Sequence, residues 1–169
     1  MHSETRRFFA HKTAEIAATA IVGDGCKIWN DCQIREGAVI GSGCILGKGV
    51  YIDAGVRVGN NCKIQNYACL YHGVTVEDDV FIGPGTMFTN DRFPRSFNES
   101  WEVTPTHVEK GASIGANSTV RCGANIGTYS MIGAGSVVTR DVHAFTMVVG
   151  NPARKIGDID VQGRRLAKR

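Results

Sequence analysis

Proline is scarce in this chain, with four in 169 residues, and aromatic residues make up only 8%. No apolar run nears the roughly 18 residues that a membrane helix needs. The stretch Met1-His2-Ser3-Glu4-Thr5-Arg6-Arg7 lacks the apolar segment of a secretory signal, so a cytoplasmic location is the expectation. The six cysteines include no C-x-x-C pair, which argues against a zinc ribbon or a redox pair. Charge of one sign is also lacking overall, at a net +3, but the excess is gathered at one end. Residues 150–169 hold Arg154, Lys155, Arg164, Arg165, Lys168 and Arg169 against Asp158 and Asp160, which leaves the rest of the chain at −1. A nucleic-acid binder spreads a basic stripe over its fold. A cluster at one end suits a local phosphate or a solvated tail instead. At 43% hydrophobic and 21% charged, the chain has the composition of a globular domain and not of a disordered one.

Glycine is abundant, at 21 of 169 or about 12% against a usual ~7%. Its placement follows a clock. Every sixth residue from Ile16 to Phe88 is Val, Ile, Leu or Phe, thirteen in succession, and the series resumes at Val108 for six more, ending at Val138. These four residue types make up 41 of 169 residues, so the series is not chance. Eight glycines fall one step after such an anchor and ten fall three steps after. A period of six is neither the 3.6 of a helix nor the 2 of a long strand. It fits a chain that makes a short strand, turns and repeats, with glycine opening backbone angles closed to other residues. Three such sides make a triangular coil of about 18 residues, and stacked coils make a parallel β-helix.

The fourth position after each anchor also points inward and holds small or β-branched residues, Cys26, Cys32, Cys44 and Cys62 among them. These cysteines read as stacked core residues that behave as small hydrophobes. Outward positions include Val39, Ile45, Tyr51, Tyr67, Cys69, Tyr71 and Phe81, a face that favours association. The expected organisation is a lead-in with a first partial coil over 1–15, a β-helix of about six coils over 16–143, and a basic extension over 144–169.

The β-helix is interrupted by a loop over 89–107, carrying two of the four prolines and the aromatics Phe93, Phe97 and Trp101. A loop leaving a rigid solenoid is a common seat of function, and aromatics in a polar loop are expected to bury against something. Within it, Asn90 and Asp91 suit the binding of an amine, because a carboxylate accepts hydrogen bonds and an amide both donates and accepts. Both residue types also favour turns. His72 precedes Asn90 by three hexads, hence it lies on the same side one coil below. His107 sits just before Val108, where the loop returns.

The repeats resemble the left-handed β-helix of the hexapeptide-repeat acyltransferases, over residues 10–152. Thr89-Asn90-Asp91-Arg92-Phe93-Pro94-Arg95 is similar to the loop of bacterial N-acetyltransferases that modify nucleotide-linked 3-amino sugars. Lys27-Ile28-Trp29, Glu77-Asp78-Asp79-Val80-Phe81-Ile82-Gly83-Pro84 and Val149-Gly150-Asn151-Pro152-Ala153-Arg154 also resemble that family. The resemblance implies the left hand of the coil and a homotrimer with sites between subunits. It implies acetyl transfer from acetyl-CoA, without a metal, to the 3-amino group of a nucleotide-linked amino sugar, in cell-surface glycan biosynthesis. A dTDP-3-amino-3,6-dideoxyhexose is slightly favoured over a UDP-3-amino-glucuronate.

Asn90, Asp91 and His72 would then attend the acceptor amine, and the backbone at Ala116 and Ala134 would meet the pantetheine arm. Thr139, Arg154 and Lys155 would meet the CoA phosphates through charge-assisted contacts. Arg92, Arg95 and Phe93 would meet the nucleotide. Many such enzymes carry a catalytic histidine in this loop, where this chain has Asn90-Asp91. Two other classes stay open: a non-catalytic trimeric scaffold, and a γ-type carbonic anhydrase, which is similar in fold and holds zinc through three histidines.

Overall fold

The computed structural model describes residues 7–167. Among them the regular elements are short β-strands, with no helix. Most strands are two residues long, as in Lys27–Ile28 and Ile45–Leu46, with one side chain turned in and one out. Strands one coil apart pair in parallel: Lys63 aligns with Ile45 on one side and with Phe81 on the other. The result is three sheets around one axis, of nine, seven and six strands, starting at Phe9–Ala10, Glu15–Ile16 and Ile21–Val22. They are called here the first, second and third faces, in the order in which the chain visits them.

The solenoid is longer than the sequence periodicity gives. Eight parallel strands stack on the first face, so there are about eight turns and not six. The first turn already forms at Phe9–Ala10, where the anchor position holds Ala10 in place of a large aliphatic residue. At the top the register tightens. Ile126 lies opposite Val142, where the regular step would reach Ala144, and Ile132 lies opposite Val148, where it would reach Gly150. That throws the six-residue count off its beat. Strand Thr146–Val149 thus continues the first face, and Arg154–Asp158 then folds back against it antiparallel.

The core is a column of anchors, with Ile28, Leu46, Ile64, Ile82 and Ile114 all 0% exposed. Each such side chain contributes roughly 1.5–3 kcal/mol of hydrophobic stabilisation. Cys26, Cys32, Cys44 and Cys62 are buried beside them, and all six cysteines are free thiols. The thiols of Cys26, Cys44 and Cys62 donate to the carbonyls of Gly41, Gly59 and Glu77 at 3.0, 3.1 and 3.1 Å, so no sulfur of these three is stranded. The glycines divide into two kinds. Gly135, three steps after an anchor, needs its left-handed φ of +69°. Gly115, one step after an anchor, needs no special φ; it is glycine because a Cβ there would run into the backbone of the next coil.

The interruption is an excursion and not an extra coil. Val74 aligns with Thr106, whereas the regular step would bring it to Arg92. Strand Thr106–Val108 resumes the third face, so His107 lies in a strand and not on the loop. There it faces Thr75 and Asn125, and its Nε2 is 2.9 Å from Glu77.

Candidate active site

The loop leaves and re-enters the solenoid at one point, on the edge where the second face turns into the third. Cys69 aligns with Met87 before this edge, and Val74 with Thr106 after it. Carried to the edge itself, the register sets His72 against Asn90 from one side and against Thr104 from the other. Those two residues close on each other: the Thr104 N–H donates to the Asn90 carbonyl at 2.9 Å, and Asp91 bridges Val103 antiparallel. The stem is fixed from below, because Val103 covers Gly73 where a Cβ would be. It is fixed from above, because the Thr89 hydroxyl accepts the Cys122 N–H at 3.0 Å. Asn90, Asp91 and His72 are therefore gathered at one edge.

His72 is exposed, but its ring is held. Its Nδ1 lies 2.6 Å from the Ala54 carbonyl, one coil below. A carbonyl only accepts, so Nδ1 carries a proton, and the tautomer that this bond selects keeps its Nε2 lone pair for another partner. The His72 N–H donates to Asp53 Oδ2 at 3.0 Å. Asp53 Oδ1 takes the Ala54 N–H at 2.8 Å and the Tyr51 hydroxyl at 2.9 Å, and Arg35 Nη1 reaches that hydroxyl at 3.3 Å. Burial alone would push the Asp53 carboxyl up. The two backbone N–H groups, the Tyr51 hydroxyl and the Arg35 charge outweigh it and hold the carboxyl below its ordinary range. Burial and the bond to Asp53 push the Tyr51 phenol up. The reading of the sequence missed Tyr51, Asp53 and Ala54 as parts of this edge. The signal was present, since Ala54 precedes His72 by the same one-coil step that separates His72 from Asn90.

Asp91 Oδ1 accepts the Phe93 N–H at 2.8 Å, so the turn role of this residue is realised while its second oxygen keeps no partner among the described residues. The loop aromatics do not bury as expected: Phe93 is 73% exposed and Phe97 80%, because the loop stands clear of the described coils. Arg92 lies over the Phe93 ring, 5.9 Å from its centroid, and Arg95 Nη1 donates to the Pro94 carbonyl at 2.7 Å. Arg92, Phe93 and Arg95 are thus together on the protruding part.

Thr139, Arg154 and Lys155 also converge. They line one cavity of about 130 Å³, with Arg140 and His143 beside them. Lys155 pairs with Asp158 at 2.7 Å, and Arg154 Nη1 donates to the Ala153 carbonyl at 2.9 Å. Arg140, Arg154 and Lys155 against Asp141 leave this lining with a positive excess, which suits a phosphate group. Ala116 and Ala134 stack in adjacent coils, but on the edge where the first face turns into the second. One chain does not bring them to His72. Among the described residues no three His, Cys, Asp or Glu side chains gather as a metal site.

The family profile described as bacterial transferase hexapeptide (six repeats) matches residues 19–54, 55–90 and 105–140, 108 of the 169 residues. The chain belongs to this family. The gap in the match falls on the loop, which the hexapeptide rule does not describe.

One stretch of 49 residues is 61% identical to the dTDP-3-amino-3,6-dideoxy-alpha-D-galactopyranose 3-N-acetyltransferase of Aneurinibacillus thermoaerophilus, covering 29% of this chain and 26% of that protein. A hexapeptide-repeat-containing acetyltransferase of Vibrio cholerae, solved with acetyl coenzyme A, is 29% identical over 70% of this chain and 72% of its own, with a TM-score of 0.57. A variant of the GDP-perosamine N-acetyltransferase of Caulobacter crescentus, solved with CoA and GDP-perosamine, shares the fold at 20% identity. It covers 89% of this chain and 57% of its own, with a TM-score of 0.62. The chain spans about half, or less, of the length of the curated relatives it matches.

Proposed function

We propose that this hexapeptide-family chain transfers the acetyl group of acetyl-CoA to the 3-amino group of a nucleotide-linked amino sugar, a dTDP-3-amino-3,6-dideoxyhexose in preference to a UDP-3-amino-glucuronate. The observation that carries this reading is the pinched loop, which sets Asn90 and Asp91 over a histidine whose Nε2 is left as an acceptor. The 61% identical stretch supports the choice of sugar.

In this reading Asn90 and the unpartnered oxygen of Asp91 orient the amine. The nitrogen lone pair attacks the thioester carbonyl, the C–S bond breaks, and the proton lost by nitrogen ends on sulfur as CoA thiol. His72 Nε2 takes that proton on the way, and the departing thiolate is a second acceptor. An amine that titrates near ~8, like an α-amino group, needs only modest help. Thr139, Arg154 and Lys155 hold the CoA phosphates; Arg92, Phe93 and Arg95 hold the nucleotide.

The coil is left-handed in this reading, and the enzyme is a homotrimer working in the cytoplasm. Ala116 and Ala134 on one prism edge and His72 on another face each other only across a subunit boundary, and a closed three-fold ring supplies three such boundaries.

Purified full chain with acetyl-CoA and each nucleotide sugar, followed by mass spectrometry, tests the reading. The expected result is acetylation of the dTDP sugar ahead of the UDP sugar, together with a melting temperature raised by acetyl-CoA and by dTDP separately. No acetylated product, with no thermal response to either ligand, would mean a scaffold.

A further inference from the structure

The strongest feature that the proposed reaction leaves unused is the half-buried network beneath the exposed His72. Asp53 contacts both halves of the device that sets the imidazole. Its Oδ1 accepts the N–H of Ala54, the residue that supplies the carbonyl, at 2.8 Å. Its Oδ2 accepts the N–H of His72, the residue that supplies the ring, at 3.0 Å. Ala54 and His72 belong to successive coils, and one carboxylate ties their backbones while the ring closes the circuit at 2.6 Å. The carboxylate is itself braced. Tyr51 donates to it at 2.9 Å, Arg35 steadies the Tyr51 hydroxyl at 3.3 Å, and the Tyr51 ring packs on Tyr71, the neighbour of His72, with centroids 5.5 Å apart.

We propose that Asp53, braced by Tyr51, is a positioning residue that fixes the His72 ring against the Ala54 carbonyl and so keeps Nε2 unprotonated and available as the acceptor. The proposal rests on reading His72 as a proton acceptor in acetyl transfer. Which imidazole nitrogen carries the proton is set by what the other nitrogen meets. Remove the carboxylate and two backbone N–H groups at the corner lose their partner. The corner relaxes, the ring leaves the carbonyl, and the proton is free to sit on Nε2, where it blocks the acceptor. Asp53 does this without touching substrate.

Two readouts test it on the full chain. The first is the ¹⁵N spectrum of labelled histidine, with the His72 signals assigned by their loss in His72→Asn. In the parent protein at a pH where the ring is neutral, His72 shows a protonated Nδ1 and a bare Nε2. In Asp53→Ala and in the isosteric Asp53→Asn, which cannot accept at both atoms, the proton moves partly or wholly to Nε2. The second readout is kinetic. Asp53→Ala loses about 10²-fold in kcat, the loss expected of a catalytic group misplaced by about 1 Å, while KM for acetyl-CoA stays within about twofold. Tyr51→Phe keeps both backbone bonds and loses less than about tenfold.

A merely structural Asp53 gives a different pattern: the melting temperature falls, but the tautomer and kcat at a temperature well below melting stay as in the parent. That pattern overturns the proposal. Should Asp53→Ala not fold, Asp53→Asn decides, because an unchanged tautomer there is equally fatal. If the parent protein acetylates neither nucleotide sugar, the functional reading fails, and the spectra still decide whether Asp53 sets the ring.

Discussion

Gly115→Ala adds one methyl group to the chain and tests why half of the glycine pattern exists. The site has an ordinary φ, so alanine meets no local backbone penalty there. The added Cβ would sit 2.5 Å from the Ala134 nitrogen and 2.8 Å from the Ala134 Cα and the Gly133 carbonyl carbon. Ordinary contact begins near 3.4 Å, so the next coil has to move by about 0.9 Å. Coils in a sheet sit only about 4.8 Å apart and share hydrogen bonds on every face, so the shift is not local. Overpacking of this kind costs about 1–3 kcal/mol. At roughly 2–4 °C per kcal/mol for a chain of this size, the melting temperature should fall by about 2–12 °C. Gly135→Ala is the control: its Cβ meets nothing within 4 Å, but φ is +69°, so its cost is backbone strain of about 1–2 kcal/mol without coil displacement. Both variants melt early at matched protein concentration. Only Gly115→Ala displaces the Ala116–Ala134 stack, so only it raises KM for acetyl-CoA. A Gly115→Ala protein that melts with the parent and binds acetyl-CoA normally would refute the close-approach argument.

Asp91→Ala should lower kcat/KM by about 10²-fold through lost alignment of the amine. His72→Asn should keep measurable activity, at a loss of about 10²- to 10⁴-fold, and a pH–rate limb near ~8 that survives in it assigns that ionisation to the substrate amine. The core thiols should react slowly with alkylating reagents in the native protein, Cys62 through burial alone because its bond with Cys44 holds that thiol below its ordinary value, and EDTA should leave activity intact. The hydrogen bond with Cys44, and then burial, push Cys26 well up. Cys44 is pushed up to about 11, because its bond with Cys62 and its burial outweigh the bond with Cys26. Glu109 is held below its ordinary value by Asn125, by the Thr128 hydroxyl and by the Thr128 N–H, at 2.7, 2.7 and 2.8 Å. A depressed carboxyl stabilises the fold above its unfolded value of about 4.3 and loses that contribution as pH falls through the folded value. Glu109→Gln should therefore flatten the drop in melting temperature below that pH.

The architecture was legible because each coil repeats the same demand: a large aliphatic inward, a small residue at the narrow corner, a glycine where coils touch. Its length was not, for two local reasons. Ala10 fills an anchor position with a methyl group, and the shortened register at Val142 and Val148 breaks the count of six. The glycines were read as one class of corner residue, although the absent Cβ of Gly115 answers to a neighbouring coil, a long-range fact that no local pattern carries. His72 and Asn90 were paired by spacing alone, and the structure keeps them on one edge. Asp53 escaped notice because its role runs through backbone N–H groups, which a sequence does not advertise.

The pairing between coils ignores what happens at a corner. Ile82 meets Ile114 as squarely as Ile64 meets Ile82, although the whole loop intervenes in the first case. An insertion at this edge therefore leaves the register of every other strand intact, and its closure penalty grows only as the logarithm of its length. In evolutionary terms the scaffold separates what can vary from what cannot. Segment 92–102 can be exchanged for one of different length and chemistry, which in the proposed reaction would retarget the acceptor, while the coils and the cavity at Thr139, Arg154 and Lys155 stay as they are.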